Sequence, residues 1–354
     1  MPVIPTDPHD VTPAWLGDVL QAEVRTCRLE QIAVGVGLVG RLFRVHLDAD
    51  RGPPTVVVKL PNADPAVNAE VCAPLQLYPS EVRFYQQIGL ANPLPPARPY
   101  FAAYDETTHD FVLVLEDLGR LRCADQIDGC SLTDAETVVD VLADHHAFWW
   151  NHPRLAALPW LKCLTDPTIC DALQRNYASG YPVFVEIAGS ELSPRVRDFA
   201  DRFASLIPWF ARELTRPPHT FLHGDLRLDQ LFFGVDPADP PLTALDWQNN
   251  AKGRGAYDLA YFLSQSLPTD LRRSCETPLI DRYAQRLAER GIAYPGAELR
   301  RDYRLTATWC LLYPVLAAGR LAISNDRNVE LIRAIVRRAA AAIEDHDGFT
   351  LGPD

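Results

Sequence analysis

The spacing of apolar residues changes along the chain, and this change limits the fold classes that the sequence can adopt. Between residues 29 and 60, apolar and polar residues alternate in short runs that are separated by glycine, aspartate and proline. This pattern is typical of antiparallel strands joined by turns. Beyond residue 130, apolar residues recur every three or four positions, which predicts helices. We therefore predict a β-rich first third followed by a mainly helical remainder.

Size and charge narrow the classes of function. With 354 residues and 47% hydrophobic content, the chain can bury a large core, as two domains or one two-lobed unit. The net charge of -12 argues against nonspecific binding to nucleic acid or to an anionic membrane. The eight cysteines include no Cys-x-x-Cys pair, so neither a zinc ribbon nor a dithiol redox motif is indicated. With no signal-like or membrane-spanning segment evident, we expect a cytoplasmic protein.

Several helix boundaries can be predicted from capping residues. Thr12 followed by Pro13 is typical of an N-cap and a first helical position. Ser80 is a candidate N-cap for the segment "EVRFYQQI", and Gly89 is the candidate stop. Thr133 opens a later segment with the spacing of a capping box.

A glycine-rich segment in the β-rich part indicates nucleotide binding. The stretch "GVGLVG" contains Gly35, Gly37 and Gly40 in a spacing used by two kinds of nucleotide site. In a dinucleotide-binding fold a helix follows the third glycine, but here an alternating, strand-like run follows. Lys59 comes about 20 residues later in a second such run. Glycines, strand, turn, strand and lysine is the order in which a kinase covers and contacts ATP phosphates. A plain hairpin with a surface lysine remains the alternative.

Lys59 lies within "TVVVKLP", among residues that are typical of a buried strand. A buried lysine needs a partner. Glu81, early in the next predicted helix, is the nearest candidate downstream. The alternative for Glu81 is a solvated acid at a helix start, where the helix dipole favours it.

A dense group of polar residues interrupts the helical half. The stretch "FLHGDLRLDQLFF" spans residues 221–233, and "LTALDWQ" follows it. Phosphoryl transfer needs a carboxylate for the attacking hydroxyl, oxygen ligands for magnesium and nearby cations. Asp225 would be the base, Arg227 a phosphate contact, and Gln230 a metal ligand through its carbonyl oxygen. Asp246 would be the second, anionic ligand.

Other polar residues of this region have simpler explanations. We expect His223 to hold the loop by hydrogen bonds. Asp229 is either a solvated turn residue or a partner of Arg227, and Asp258 is either a helix cap or a buried anchor. Asp225 and Asp246 are harder to explain in this way, because each follows an apolar run and an unpaired buried carboxylate is costly.

Taken in order, these motifs resemble the aminoglycoside phosphotransferase and choline kinase superfamily. The resemblance rests on "GVGLVG", "VVVKLP", "SEVRFY", "LVLEDLG", "LHGDLRLDQLFF" and "LDWQ". The segments "TPAWLGDVL" and "GRGAYDLAYFLSQSL" are most similar to its ecdysteroid-kinase-like branch. The resemblance extends over about residues 12 to 267.

This resemblance implies an α+β, protein-kinase-like fold with two lobes. The N-lobe would span residues 1–117 and the helical C-lobe residues 118–354. ATP would bind between the lobes, with its adenine against the connector from Glu116 to Leu118. Magnesium would assist transfer of the γ-phosphate to a hydroxyl group of a small molecule.

The resemblance also assigns roles by position. It implies that Asp225 is the catalytic base, Asp246 the main magnesium ligand, Lys59 the phosphate contact and Glu81 its ion-pair partner. Gln230 departs from the pattern, because the family usually has asparagine there. Because the glutamine side chain is one methylene longer, the resemblance does not decide whether Gln230 supports a second magnesium ion.

Two other functions compete with an active kinase. Gln230 motivates a nucleotide-binding scaffold that has lost phosphoryl transfer. The glycine pattern alone motivates a dinucleotide-dependent oxidoreductase, which the strand after Gly40 disfavours.

The sequence does not identify the acceptor or the oligomeric state. A cationic acceptor such as an aminoglycoside or choline would need acids or an aromatic cage. We expect the aromatic run at residues 148–150 to belong to the core, whereas "TWCLLYP" at residues 308–314 could line the acceptor pocket or pack the last helices.

Overall fold

An antiparallel sheet forms the first part of the molecule. The computed structural model describes residues 3–33, 39–319 and 326–353. The five-stranded sheet has the order β1-β2-β3-β5-β4. Its strands are β1 (Val24–Ile32), β2 (Gly40–Ala49), β3 (Thr55–Pro61), β4 (Pro99–Tyr104) and β5 (Phe111–Glu116). The predicted strand after Gly40 is therefore present as β2, and the arrangement is not that of a dinucleotide-binding fold.

The alternation of β3 decides which way its lysine points. Successive side chains of a strand face opposite sides of the sheet. Val56, Val58 and Leu60 pack against α1 (Pro13–Leu20) on the outer face. Lys59 consequently lies on the inner face, which is directed toward the helical part.

The helix that follows β3 begins earlier than its sequence suggested. After α2 (Pro65–Val67) and a π-helical turn at Asn68–Cys72, α3 spans Leu77–Gln87. Ser80 is buried inside α3, so its predicted role as N-cap is wrong. The cap position is taken by Gln76, whose left-handed backbone has a φ of 50°. Gly89, with a φ of 49°, follows the end of α3 as expected.

Long helices make up most of the remainder. They are α4 (Leu132–Trp149), α5 (Pro167–Ala188), α6 (Pro194–Leu214), α7 (Ala256–Ser266), α8 (Thr269–Glu289), α9 (Gly296–Trp309), α10 (Leu312–Ala318) and α11 (Asp326–Asp345). Thr12 caps α1 as predicted, but Ser131 and not Thr133 caps α4. Within the described ranges, no helix has the length and apolarity needed to cross a membrane.

Short strands in the helical part position two loops. The three-stranded sheet β6-β8-β9 comprises Arg122–Cys123, Leu231–Phe233 and Leu242–Ala244. A second pair joins β7 (Thr220–Leu222) to β10 (Ala251–Gly253). The loop 223–230 follows β7, and the loop 245–250 follows β9. Both loops emerge beside the inner face of the large sheet.

The inner face of the large sheet and the helices share one hydrophobic core, whereas the outer face packs with α1 in a separate cluster. A continuous cluster of buried side chains runs from Val39 and α3 through α4 to Ile343 in the last helix. The predicted α+β class, with a β-rich first part and a helical remainder, is confirmed. The predicted boundary at residues 117 and 118 falls just after β5, and the division into separate domains stays a prediction.

Candidate active site

A cavity of about 430 Å³ lies between the large sheet and the helical part. Its lining includes every predicted site residue that the structure describes: Gly40, Lys59, Glu81, Glu116, Leu118, Asp225, Arg227, Gln230 and Asp246. Gly35 and Gly37 lie outside the described residues. The convergence expected from the sequence is thus present, while the role of each residue stays a prediction.

Lys59 joins the two halves of this cavity. Its Nζ donates to Glu81 Oε2 on α3 at 2.7 Å and to Asp246 Oδ1 at 2.8 Å. The side chains of Lys59 and Glu81 are 8% and 1% exposed. Both residues are therefore buried partners, and the alternatives of a surface lysine and a solvated acid are wrong.

The three charges set one another's ionisation. Burial opposes the charge on Lys59, but Asp246 and Glu81 outweigh it and raise the pKa of Lys59. Burial raises the pKa of Glu81 to about 7, with Asp246 acting in the same direction against Lys59. Burial also acts to raise the pKa of Asp246, but attraction to Lys59 prevails and the pKa is lowered. Asp246 is thus the more strongly anionic of the two acids.

The loop after β9 places Asp246 in a strained but well-supported position. Asp246 has a left-handed backbone with a φ of 62°. Its Oδ2 accepts hydrogen bonds from Gln230 Nε2 at 3.1 Å and from Gln248 Nε2 at 3.2 Å. The next residue, Trp247, stacks on Phe84 of α3 with ring centroids 4.1 Å apart. This contact fixes the loop against the helix that carries Glu81.

The loop after β7 is held in place through its backbone N–H groups, which bind a carboxylate of α7. Asp258 of α7 accepts from the backbone N–H of His223 at 2.7 Å and of Gly224 at 2.9 Å. His223 Nε2 donates to the carbonyl oxygen of Leu245 at 2.8 Å, which links the two site loops. His223 thus has the predicted structural contacts, and Asp258 is a buried anchor within the first turn of α7.

Gly224 is required where the loop turns. Its φ is 82°, and a Cβ there would lie 2.1 Å from the carbonyl oxygen of Asn249. Only glycine fits such a position without displacing the neighbouring loop.

Asp225 has one carboxylate oxygen fully engaged. Its Oδ1 accepts from Tyr261 OH at 2.7 Å and pairs with Arg227 Nε at 3.3 Å. Arg227 also pairs with Asp229, with 3.2 Å between NH1 and Oδ2. Asp229 is therefore a partner of Arg227 and not a free turn residue. Within the described part of the chain, Asp225 Oδ2 has no protein hydrogen bond.

The donor set fits a magnesium ion that is shared with phosphates. Among the described residues, no group of three or more His, Cys, Asp and Glu could hold a metal unaided. Magnesium is commonly bound by one or two carboxylates together with substrate phosphates. Asp246 meets this requirement. Gln230 presents its amide nitrogen to Asp246, and a half-turn of the amide would present the oxygen instead.

Several residues of the site were not found from the sequence. Lys162, Tyr261, Gln248 and Gln126 all line the cavity, and Gln126 Oε1 accepts from the backbone N–H of Leu228. Gln248 and Tyr261 lie in segments that carried the resemblance but were given no role, whereas Lys162 and Gln126 lie outside those segments. The scarcity of lysine, with three among 34 lysines and arginines, is a signal that could have identified Lys162.

Of the two aromatic segments, residues 308–314 contribute to the cavity, whereas residues 148–150 differ from one another in burial. Trp309, Leu312 and Tyr313 from the segment 308–314 line the cavity. Trp149 is buried in the shared core, whereas Phe148 is 48% exposed, so the expectation of core packing fails for Phe148. Trp150 is partly buried and contacts Tyr294.

Comparisons with known proteins bear on the fold. The fold is similar to that of solved small-molecule kinases and phosphotransferases. The ecdysteroid kinase-like family model matches residues 164–292. No curated protein matches the chain.

Solved structures share the fold. A candidate aminoglycoside phosphotransferase from Ralstonia eutropha JMP134 has a TM-score of 0.55 at 16% identity, covering 95% of this chain and 97% of that one. Choline kinase from Cryptosporidium parvum Iowa II has a TM-score of 0.57 at 10% identity, covering 96% and 93%. Amicoumacin kinase hAmiN in complex with AMP-PNP and Ca²⁺ has a TM-score of 0.50 at 10% identity, covering 88% and 87%. The resemblance to this superfamily and to its ecdysteroid-kinase-like branch is confirmed.

Proposed function

We propose that the protein is a small-molecule kinase that transfers the γ-phosphate of ATP to a hydroxyl group. The observation that carries this proposal is the position of Lys59, which bonds to Glu81 and Asp246 in a cavity that Asp225 also lines. A cation and two loop carboxylates around one cavity are the groups that phosphoryl transfer requires.

In this function each side chain has a distinct task. Lys59, oriented by Glu81, would donate to phosphate oxygens of the nucleotide. Asp225 would accept the proton of the acceptor hydroxyl at Oδ2, since Tyr261 and Arg227 engage Oδ1. Arg227 would also stabilise charge on the transferring group. Adenine would lie against the connector from Glu116 to Leu118, which lines the same cavity.

Asp246 would hold magnesium, and Gln230 would join it after rotation of its amide. The ion would neutralise phosphate charge. A neighbouring fold supports this pairing of nucleotide and divalent ion, because hAmiN was solved with AMP-PNP and Ca²⁺. The choline kinase neighbour supports an acceptor of low molecular mass. Among the described residues no two cysteines form a disulfide bond, which supports a cytoplasmic setting.

A scaffold that binds nucleotide without transferring phosphate is the second candidate. It is favoured by one observation, the hydrogen bond from Gln230 Nε2 to Asp246 Oδ2. In this orientation an amide N–H group, and not an oxygen, faces the carboxylate that would bind metal.

Turnover distinguishes the two candidates. The protein would be incubated with ATP, Mg²⁺ and a panel of choline, aminoglycosides and uncharged alcohols, and products would be followed by mass shift and ADP release. We expect one acceptor class to gain a phosphate, and Asp225→Asn to lower kcat by about a hundredfold or more while ATP still binds. ATP binding without any product would favour the scaffold, and an undiminished rate in Asp225→Asn would refute the assignment of the base.

A further inference from the structure

Lysine is rare in this chain, and its positions are informative. The sequence has 34 lysines and arginines, of which only Lys59, Lys162 and Lys252 are lysine. Lys59 and Lys162 line the same cavity, whereas Lys252 lies on β10 and is not part of the lining. Lysine offers a compact ammonium group where arginine offers a broad planar fork. Two of the three lysines thus place a compact cation at the lining of this cavity.

Lys162 is fixed at both its backbone and its side chain. Its carbonyl oxygen accepts from the backbone N–H of Lys252 at 2.9 Å. Its Nζ donates to the carbonyl oxygen of Leu75, just before α3, at 3.2 Å, and to that of Gln248 in the loop of Asp246. The ammonium is thus held beside the helix of Glu81 and the proposed metal loop.

This ammonium group lacks a full set of partners. An ammonium has three N–H donors, and the two carbonyl groups use two of them. Within the residues that the structure describes, the third has no acceptor and no carboxylate pairs with Lys162. The residue is 9% exposed and lines the cavity, so a further partner would lie in the cavity.

Burial disfavours the charged form of Lys162. Burial lowers the pKa of Lys162 to about 7, and the charges of Asp246 and Glu81 only partly offset it. At neutral pH about half of the molecules therefore carry the charged form, and a phosphate group nearby would favour this form, which has the third N–H donor.

We propose that Lys162 is a second phosphate-binding lysine, whose remaining N–H donates to a phosphate oxygen of the nucleotide that Lys59 also contacts. This inference rests on the proposed nucleotide-dependent function. It assigns a binding role to a residue outside the motifs that identified the site.

The wild-type protein allows a direct test, because it has only three lysines to follow. Reductive methylation would be measured at each lysine by peptide mass spectrometry, with Mg²⁺ and either ATP, ADP or adenosine. With ATP at about ten times its dissociation constant, we expect about tenfold slower labelling of Lys162 than with adenosine. Lys252 should be unaffected and serves as the internal control. Equal labelling of Lys162 with ATP and with adenosine would overturn the proposal.

Matched variants test the same contact by affinity. Lys162→Met should weaken ATP binding by about tenfold or more while changing adenosine binding by less than about twofold. Lys252→Met, the same substitution outside the cavity, should change neither. Equal losses for ATP and adenosine in Lys162→Met would indicate only a structural tie between Leu75 and Gln248, and would overturn the phosphate contact.

Failure of this proposal can be distinguished from failure of the kinase function. If the wild type binds ATP but yields no product, the kinase function fails while both Lys162 measurements still decide the contact. If the wild type binds no ATP, both proposals fail. If Lys162→Met does not fold, the labelling of the wild type still tests whether Lys162 contacts a phosphate group.

Discussion

At the scale of single residues, the central feature is one ammonium group shared by two buried acids. Lys59 is the direct partner of both Glu81 and Asp246. Removing one member of a buried ion pair leaves an uncompensated charge in a poorly solvated place. The same residue should therefore support both nucleotide binding and folding.

We predict that Lys59→Met lowers the free energy of unfolding by about 3–5 kcal/mol. The reason is that two carboxylates lose their cation at once. Urea unfolding monitored by tryptophan fluorescence would measure the change. Lys252→Met is the matched control, and a loss no larger than that of the control would contradict this account of Lys59.

His145 should make stability depend on acidity. Burial, reinforced by His146, lowers the pKa of His145 from 6.5 to about 3. Between these values the unfolded chain binds a proton that the folded chain does not, so stability is lost as the pH falls below about 6.5. By pH 5 this single group should cost about 2 kcal/mol.

The variant His145→Gln isolates this effect. Glutamine retains an N–H group for the carbonyl oxygen of Phe221, which His145 contacts at 2.9 Å, but it does not titrate. We expect the unfolding free energy of the variant to depend less steeply on pH between 7 and 5, whatever its absolute stability. Parallel curves for the two proteins would show that His145 is not responsible.

At the scale of elements, α7 organises the loop that carries Asp225. Asp258 and Tyr261 are three residues apart and so share one face of this helix. Asp258 binds the loop backbone through His223 and Gly224, and Tyr261 binds the carboxylate itself. One helix thus fixes both the path of the loop and the orientation of the proposed base.

We predict that Tyr261→Phe lowers kcat by about tenfold through loss of one hydrogen bond to a charged group. The ATP dissociation constant should remain unchanged, because the phenol contacts Asp225 and not the proposed nucleotide contacts. Steady-state kinetics and calorimetry would separate the two quantities. Tyr177→Phe is the control, since it removes a buried phenol that donates to Ala200 at 2.9 Å between other helices. Equal effects of the two variants on kcat would argue against a positioning role.

The elements also show what the sequence could and could not predict. The strands were predictable, because apolar alternation is a local signal. The convergence of Lys59, Asp225 and Asp246 was expected because the order of the motifs resembles a superfamily whose fold places them around one site. The cap at Ser80 failed because a left-handed Gln76 starts α3 earlier, and no residue type near it signals this backbone. Lys162 bonds to a carbonyl group 86 residues away, so its role depends on tertiary packing that no local pattern records.

At the scale of the whole molecule, the cavity is bordered by both the sheet and the helices, and a ligand there should stabilise both. We predict that ATP with Mg²⁺ at about 100 times its dissociation constant adds about 2.7 kcal/mol to the unfolding free energy. Thermal denaturation would reveal it as an increase in Tm. Addition of EDTA should reduce the increase, and Asp246→Asn should make it insensitive to Mg²⁺. An increase that is unaffected by EDTA would exclude a metal-assisted site.

The docking of α3 has a consequence for regulation. Phe84 of this helix stacks on Trp247 beside Asp246, and Asn250 donates to the carbonyl oxygen of Ser80 at 3.2 Å. Some enzymes of related architecture are turned on and off when the corresponding helix swings away and breaks its lysine–glutamate bond. Here such a movement of α3 would separate two fully buried aromatic rings. We therefore expect α3 to stay docked and the bond between Lys59 and Glu81 to stay formed. The rate of product formation would then depend on the concentrations of the substrates and of the protein itself.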